Sequence, residues 1–281
     1  MNIALSPAPQ ADLLVGHQLH FGYPDHPVAK GLDVRIPAGT FTAIIGPNGC
    51  GKSTLLRTLC RLITPQQGQI LFDGHALQHY SGRALARQMG LLAQSAVAPE
   101  GMRVHELVSR GRYPHQSWLQ GWRDEDERAV NSALAMTGLS GLANHRVEAL
   151  SGGQRQRVWV AMVLAQDTPL MLLDEPTTYL DISHQIELLE LFHALNQQTG
   201  RTLVAVLHDI NQACRYANHL IAMRDGQIIA EGAPGEIVTA ELLREVFALA
   251  CTVIADPVTG TPLILPHRAP VQLAGGAPSV G

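Results

Sequence analysis

A chain of 281 residues with 46% apolar and 16% charged side chains is long enough to bury a substantial core, and this composition excludes a disordered chain. A net charge of −4 lacks the basic excess of a nucleic-acid surface, so no nucleic-acid partner is expected. No apolar run approaches the ~20 residues a membrane helix needs, and the opening MNIALSPAPQADLL lacks the basic start and long apolar stretch of a secretory leader, so no direct membrane insertion is expected.

In chain order, residues 1–11 read as a flexible arm and residues 12–265 as one domain. Phe41 to Ile45 (FTAII) is a continuous apolar, β-branched run feeding a glycine-rich turn, and STLLRTLCRLI after it reads as a helix. Strand, turn and helix in that order open a parallel α/β unit. TPQQGQILFDG carries turn signals and a short antiparallel strand. Residues 95–165 change character. VHELVSRGRY and EDERAVNSALAMTG are helical, no strong strand intervenes, and the stretch reads as an inserted helical subdomain that closes on the helix RQRVWVAMVLAQ. LMLL and TLVAVL are buried strands, separated by an amphipathic helix, ISHQIELLELFHALNQQ, that stops near Gly200. A further helix is expected at NQACRYA. Strands that are apolar along their whole length suit a sheet covered on both faces. Residues 266–281, rich in Pro, Gly and Ala, read as a mobile tail. Cys50, Cys60, Cys214 and Cys251 are widely spaced with no CxxC pair, which fits reduced thiols in the cytosol. The histidines are mostly scattered without ligand spacing and read as surface residues.

Gly46, Pro47, Asn48, Gly49, Cys50, Gly51, Lys52 and Ser53 fit the pattern GxxxxGK followed by Ser or Thr, with Thr54 next in the helix. Glycines let a backbone wrap closely and turn its N–H groups toward phosphate oxygens, and the helix opening near Lys52 adds its positive end. Lys52 supplies a point charge for the β/γ-phosphates and Ser53 a hydroxyl for Mg2+. The expected cofactors are therefore ATP and magnesium. Cys50 within the loop reads first as a small space-filler; because a helix N-terminus can also lower a thiol pKa, alkylation is expected to inhibit turnover, with ATP protecting.

Leu170 to Leu173 end in Asp174 and Glu175. Carboxylates at the carboxyl end of a parallel strand face the crevice where such sheets bind ligands. Asp174 is expected to hold magnesium and Glu175 to act as general base on a water. Leu150 to Arg157 (LSGGQRQR) is a helix start: Ser151 suits the N-cap and Gln154 the reciprocal capping-box position. Gly152 and Gly153 weaken that helix by roughly 1 kcal/mol each relative to Ala. They make sense where an anion must approach the backbone.

LSGGQRQR resembles the signature motif of ABC ATPases, and the remaining family motifs follow in order. Gln94 ends the run GLLAQ as the Q-loop glutamine does, and by that likeness joins Ser53 and Asp174 on the metal. Tyr179-Leu180-Asp181 resembles the D-loop, with Asp181 the matching acid; His208 after TLVAVL resembles the switch histidine; Tyr23, ahead of the first subdomain strand, resembles the aromatic that stacks on adenine. Each has a plainer reading as helix cap, strand-end histidine, loop residue or core aromatic. GPNGCGKSTLLRTL, EGMRVHELVSRGRYPH and LLDEPTTYLDISHQIELLEL look like the ATP-binding subunits of ferric-siderophore importers, and the likeness is strongest to those serving ferric enterobactin. The resemblance spans about residues 12 to 265.

The resemblance implies a P-loop NTPase (RecA-like) α/β core with a parallel sheet, an antiparallel β-subdomain and the helical insert. It implies an ATPase on the cytoplasmic face of the bacterial inner membrane that powers import of a ferric siderophore, with a catecholate as cargo and ferric citrate, hydroxamate or cobalamin as alternatives. It implies a head-to-tail homodimer with each ATP between one phosphate loop and the other chain's Ser151, Gly152, Gly153 and Gln154. The implied partners are transmembrane permease subunits, seated near Met102 to Tyr113, and indirectly a periplasmic siderophore-binding protein. Non-transport ABC ATPases remain the alternative of another class; one cassette and no heptad run weigh against them.

Overall fold

The computed structural model describes residues 11–94, 97–116 and 121–268. Two long antiparallel strands, β1 (Asp12–Tyr23) and β2 (His26–Pro37), come first, followed by β3 (Phe41–Ile45) and α1 (Lys52–Leu59). β4 (Gln67–Phe72) returns to pair with β1, and with β5 (His75–Ala76) it completes an antiparallel sheet in the order β2-β1-β4-β5. α2 (Gly82–Ala86), capped by the Ser81 hydroxyl, leads to β6 (Met89–Leu92). Three helices follow: α3 (Val104–Ser109), α4 (Asp124–Met136) and α5 (Gly152–Ala165). The chain then alternates through β7 (Leu170–Asp174), α6 (Ile182–Thr199), β8 (Thr202–Val206), α7 (Ile210–Tyr216) and β9 (His219–Arg224). β10 (Gln227–Gly232), α8 (Pro234–Ile237), α9 (Ala240–Phe247) and the hairpin of β11 (Cys251–Ala255) and β12 (Pro262–Pro266) close it.

The central sheet runs β10-β9-β3-β8-β7-β6. All its pairs are parallel except β9 with β10. β3, β7 and β8 are buried at every position, as suits sequences that are apolar but for Thr42, Asp174 and Thr202. The side-chain period of two divides each strand between two cores. Leu170 and Leu172 pack with Leu55, Leu56 and Leu59 of α1, whereas Met171 and Leu173 pack with Val160 of α5 and Leu189 and Phe192 of α6. α6 stops where Gly200 takes a left-handed φ of 67°. The parallel α/β core with its antiparallel sheet agrees with the fold expected from the sequence.

Two expectations need correction or fall outside the described residues. Tyr23 does not precede the first strand of the antiparallel sheet; it is the last residue of β1, opposite His26. Residues 1–10 of the expected arm, and 269–281 of the expected tail, lie outside the described residues.

The helices between β6 and β7 are fastened by a buried ion pair. Arg112, 2% exposed, donates from Nε to Asp126 Oδ1 at 2.9 Å and from Nη1 to the Ala165 carbonyl at 3.0 Å. That second bond places a cation at the carbonyl end of α5, where it is favoured. Removing one member of a buried pair strands the other, so Arg112→Ala is expected to cost about 3–5 kcal/mol. Burial alone would push the Asp126 carboxyl upward. The Arg112 hydrogen bond, the Arg123 backbone N–H and both guanidinium charges outweigh it and hold the carboxyl below its ordinary value. A depressed folded-state pKa means stability that is complete above the usual carboxylate range near ~4 and lost as pH falls through the lowered value. Urea melts at pH 7 and below pH 4 check both statements: the gap between wild type and Arg112→Ala should narrow in acid.

Candidate active site

β3 delivers the chain into the glycine-rich loop, and close packing dictates two of its glycines. A Cβ on Gly46 would lie 2.3 Å from the Met223 carbonyl oxygen. Gly51 holds φ +106°, and a Cβ there would lie 2.4 Å from Val28 Cγ1. Gly51 caps α1 without a side-chain acceptor, so the first-turn N–H groups are not consumed by a cap. Lys52 is buried, and its Nζ donates to the carbonyls of Gly46 and Pro47 at 2.9 Å each, folding the ammonium into the loop.

Cys50 takes the space-filling place read for it in the sequence. It is buried against this loop, and desolvation raises its thiol pKa against the opposing pull of the Lys52 charge and backbone N–H.

β6, β7 and β8 are parallel neighbours, so their carboxyl ends lie along one edge. That edge gathers three residues far apart in sequence. Glu175 follows β7 in a left-handed conformation, φ +53°. Its Oε2 accepts from Gln94 Nε2 at 2.8 Å and from Thr178 Oγ1 at 3.2 Å, and its Oε1 lies 2.8 Å from His208 Nε2. Gln94, expected beside Ser53 and Asp174, thus contacts Glu175 instead. Asp174 ends β7 at 1% exposure. Its Oδ2 meets Arg57 Nη2 at 3.4 Å, and its Oδ1 has no hydrogen-bond partner among the described residues. Burial pushes this carboxyl up, opposed by the Ser53 hydroxyl and Arg57.

The signature-like segment forms a separate group. Ser151 Oγ accepts from Gln154 N at 3.2 Å and Gln154 Oε1 accepts from Ser151 N at 3.1 Å, a complete capping box. Asp181 caps α6, accepting from His184 N at 3.0 Å and Ser183 Oγ at 2.9 Å. Those bonds to His184 and Ser183 hold its carboxyl below the ordinary value. Ser151, Gly153, Gln154, Tyr179, Asp181 and His184 line a groove of about 350 Å³. No residue of the loop 46–54 borders it. A Cβ on Gly152 would meet nothing within 4 Å, so packing inside this chain does not explain that glycine. Tyr23 stands half-exposed at the end of β1.

Four contributors went unread in the sequence: Arg57 on Asp174, Thr178 on Glu175, Val28 against Gly51, and Gln156, whose Nε2 donates to the Pro176 carbonyl at 3.0 Å. Arg57 had a signal. It lies four residues beyond Ser53, on the same helix face.

The ABC transporter family matches residues 29–178, which hold the loop, Gln94, the signature segment and Glu175. This chain belongs to the ABC transporter ATPases. It is 62% identical over 253 residues to the ferric enterobactin transport ATP-binding protein FepC of Escherichia coli, covering 90% of this chain and 93% of that one. It is 52% identical to the petrobactin import ATP-binding protein FpuD of Bacillus anthracis, covering 89% and 92%. Among solved structures, it superposes on an ABC transporter in an inward-facing conformation with a TM-score of 0.78 at 29% identity, covering 92% of this chain and 98% of that one. A bacterial ABC transporter cassette solved as a dimer gives a TM-score of 0.70 at 28% identity, covering 78% and 98%. As an ABC ATPase the chain binds and hydrolyses ATP, and no helix among its described residues is long and apolar enough to cross a membrane.

Proposed function

We propose that this chain powers import of a ferric catecholate siderophore of the enterobactin type, acting at the cytoplasmic face of the bacterial inner membrane. The 62% identity to FepC along 90% of the chain carries this reading. Petrobactin import by a 52% identical relative supports the wider class of iron chelates. Residues 12–265 form the ATPase domain, with 95–165 as its helical insert.

In this reading the loop of Gly46, Pro47, Asn48, Gly49, Cys50 and Gly51 cradles the phosphates, with Lys52 and Thr54 at the helix start and Tyr23 on the adenine. Lys52 leaves its two loop carbonyls for phosphate oxygens. The donors fit magnesium: a buried, partly unpartnered carboxylate at Asp174 beside the Ser53 hydroxyl is the hard-oxygen set that cation prefers. Bound there, magnesium would neutralise charge on the β- and γ-phosphate oxygens. Glu175 takes a proton from the attacking water, while Gln94, Thr178 and His208 fix its carboxylate and His208 faces the γ-phosphate.

The second half of the site comes from another copy. Ser151, Gly152, Gly153, Gln154 and Asp181 of the second chain cover the nucleotide of the first, which is why open space at Gly152 is useful. Tyr179, which lines that groove, and Ile182, next in the chain after its Asp181, are 84% and 73% exposed and supply apolar surface for the pairing. ATP binds the paired form better than the separated one, and that difference drives the shape change. Permease subunits seat along the helical insert near Met102 to Tyr113. A neighbouring groove of about 550 Å³ is bordered by Gln94, Val97, Pro99, Trp159 and Tyr179, so a permease segment there would reach Gln94 directly. A periplasmic siderophore-binding protein delivers the cargo.

Cells whose only copy of the gene is Glu175→Gln are expected to lose uptake of radiolabelled iron given as a ferric catecholate. Ferric citrate, ferric hydroxamate and labelled cobalamin run in parallel. Loss of a different cargo would move the substrate, and no loss of any would end the siderophore reading.

A further inference from the structure

Asp174 is almost wholly buried, and a buried carboxylate keeps its charge only beside a cation or a full set of donors. It has neither in full. Among the described residues the one cationic group within 4 Å is Arg57, and Oδ1 has no hydrogen-bond partner. Glu175, the next residue in the chain, adds a second carboxylate at the same strand end. Arg57 comes from the face of α1 that carries Ser53, one turn further along. Its contact is long, 3.4 Å from Nη2 to Oδ2 against ~2.7–2.9 Å for a strong charge-assisted bond. Its side chain is 35% exposed, so the guanidinium has solvent to move into. A weak, solvent-reaching cation on a buried carboxylate is a replaceable counter-ion.

We propose that Arg57 is a positioning residue that stands in for the divalent cation on Asp174 and competes with it. This rests on the reading of Ser53 and Asp174 as the magnesium pair. In the metal-free chain Arg57 holds Asp174 through Oδ2 and leaves Oδ1, which has no partner among the described residues, for the incoming ion. When a divalent cation binds, Arg57 is superfluous and its charge opposes that binding. A residue serving only to hold the fold would act equally in both states. Arg57 acts in opposite directions: it stabilises the metal-free chain and weakens metal binding.

The test is thermal unfolding of the full chain with a saturating non-hydrolysable ATP analogue, in EDTA and across a magnesium titration. Wild type, Arg57→Gln and Arg57→Lys are compared. Arg57→Gln should melt lower than wild type in EDTA and match it at saturating magnesium. Its magnesium midpoint should fall about tenfold, the scale set by one neighbouring charge within ~4–6 Å. Arg57→Lys, which keeps the charge, should restore both values toward wild type. A midpoint that is unchanged or raised in Arg57→Gln, or an equal loss of stability with and without magnesium, overturns the proposal. If wild type itself gains nothing from magnesium with the analogue, the magnesium reading of Ser53 and Asp174 fails, a different result from failure of the Arg57 role alone.

Discussion

Glu175→Gln lowers ATP turnover by about 10²–10⁴-fold and leaves ATP binding in place, the span a positioned general base contributes. The substitution is close to isosteric. A glutamine keeps one carbonyl oxygen for Gln94 and Thr178, and its amide can face His208, so the edge formed by β6, β7 and β8 keeps its shape. Asp174, Lys52 and the loop are untouched. What is lost is the capacity to accept a proton from water. Phosphate release under steady state, with equilibrium binding of a fluorescent ATP analogue, separates the two properties. Turnover near the wild-type rate would remove Glu175 from the role.

Lys52→Ala produces the complementary failure, loss of nucleotide binding. Lys52 is buried within the loop, where both of its carbonyl partners belong to the loop itself. Hydrogen bonds to charged groups contribute ~1.5–3 kcal/mol each. Losing two such bonds to phosphate oxygens weakens ATP binding by about 10²–10⁴-fold. The nucleotide-free variant also leaves the Gly46 and Pro47 carbonyls without their donor, so it should melt slightly below wild type. The same fluorescent analogue measures the affinity. Wild-type affinity in this variant would overturn the assignment of the loop.

What the sequence made legible follows from what is local. The phosphate loop, the capped start of α5 and the acid pair after β7 are each written within a few residues, and each took the local form expected of it. β3, β7 and β8 announce themselves because burial on both faces favours nearly continuous apolar runs. β1 and β2 do not, since they face water on one side and carry His17, His20 and Lys30 among their apolar residues. β10 is an edge strand only half buried, and the β11–β12 hairpin leaves Ile254 and Leu265 exposed. Neither offers a long apolar signal. The meeting of Gln94, Glu175 and His208 depends on the order β6-β7-β8, which no single segment encodes. The same holds for Arg57 on Asp174, which needs α1 packed beneath β7. The burial that raises the Cys50 thiol pKa is likewise a product of packing, whereas the helix N-terminus beside it is visible in sequence.

In the proposed function one chain carries two half-sites, and ATP joins the halves of two chains. Sedimentation of the Glu175→Gln chain with and without magnesium and ATP tests it most directly. Monomer is expected without nucleotide and a stable dimer with ATP, reverting to monomer when Ser151→Arg is added to fill the open space at Gly152. A Glu175→Gln chain that binds ATP stoichiometrically yet sediments as a monomer would contradict it.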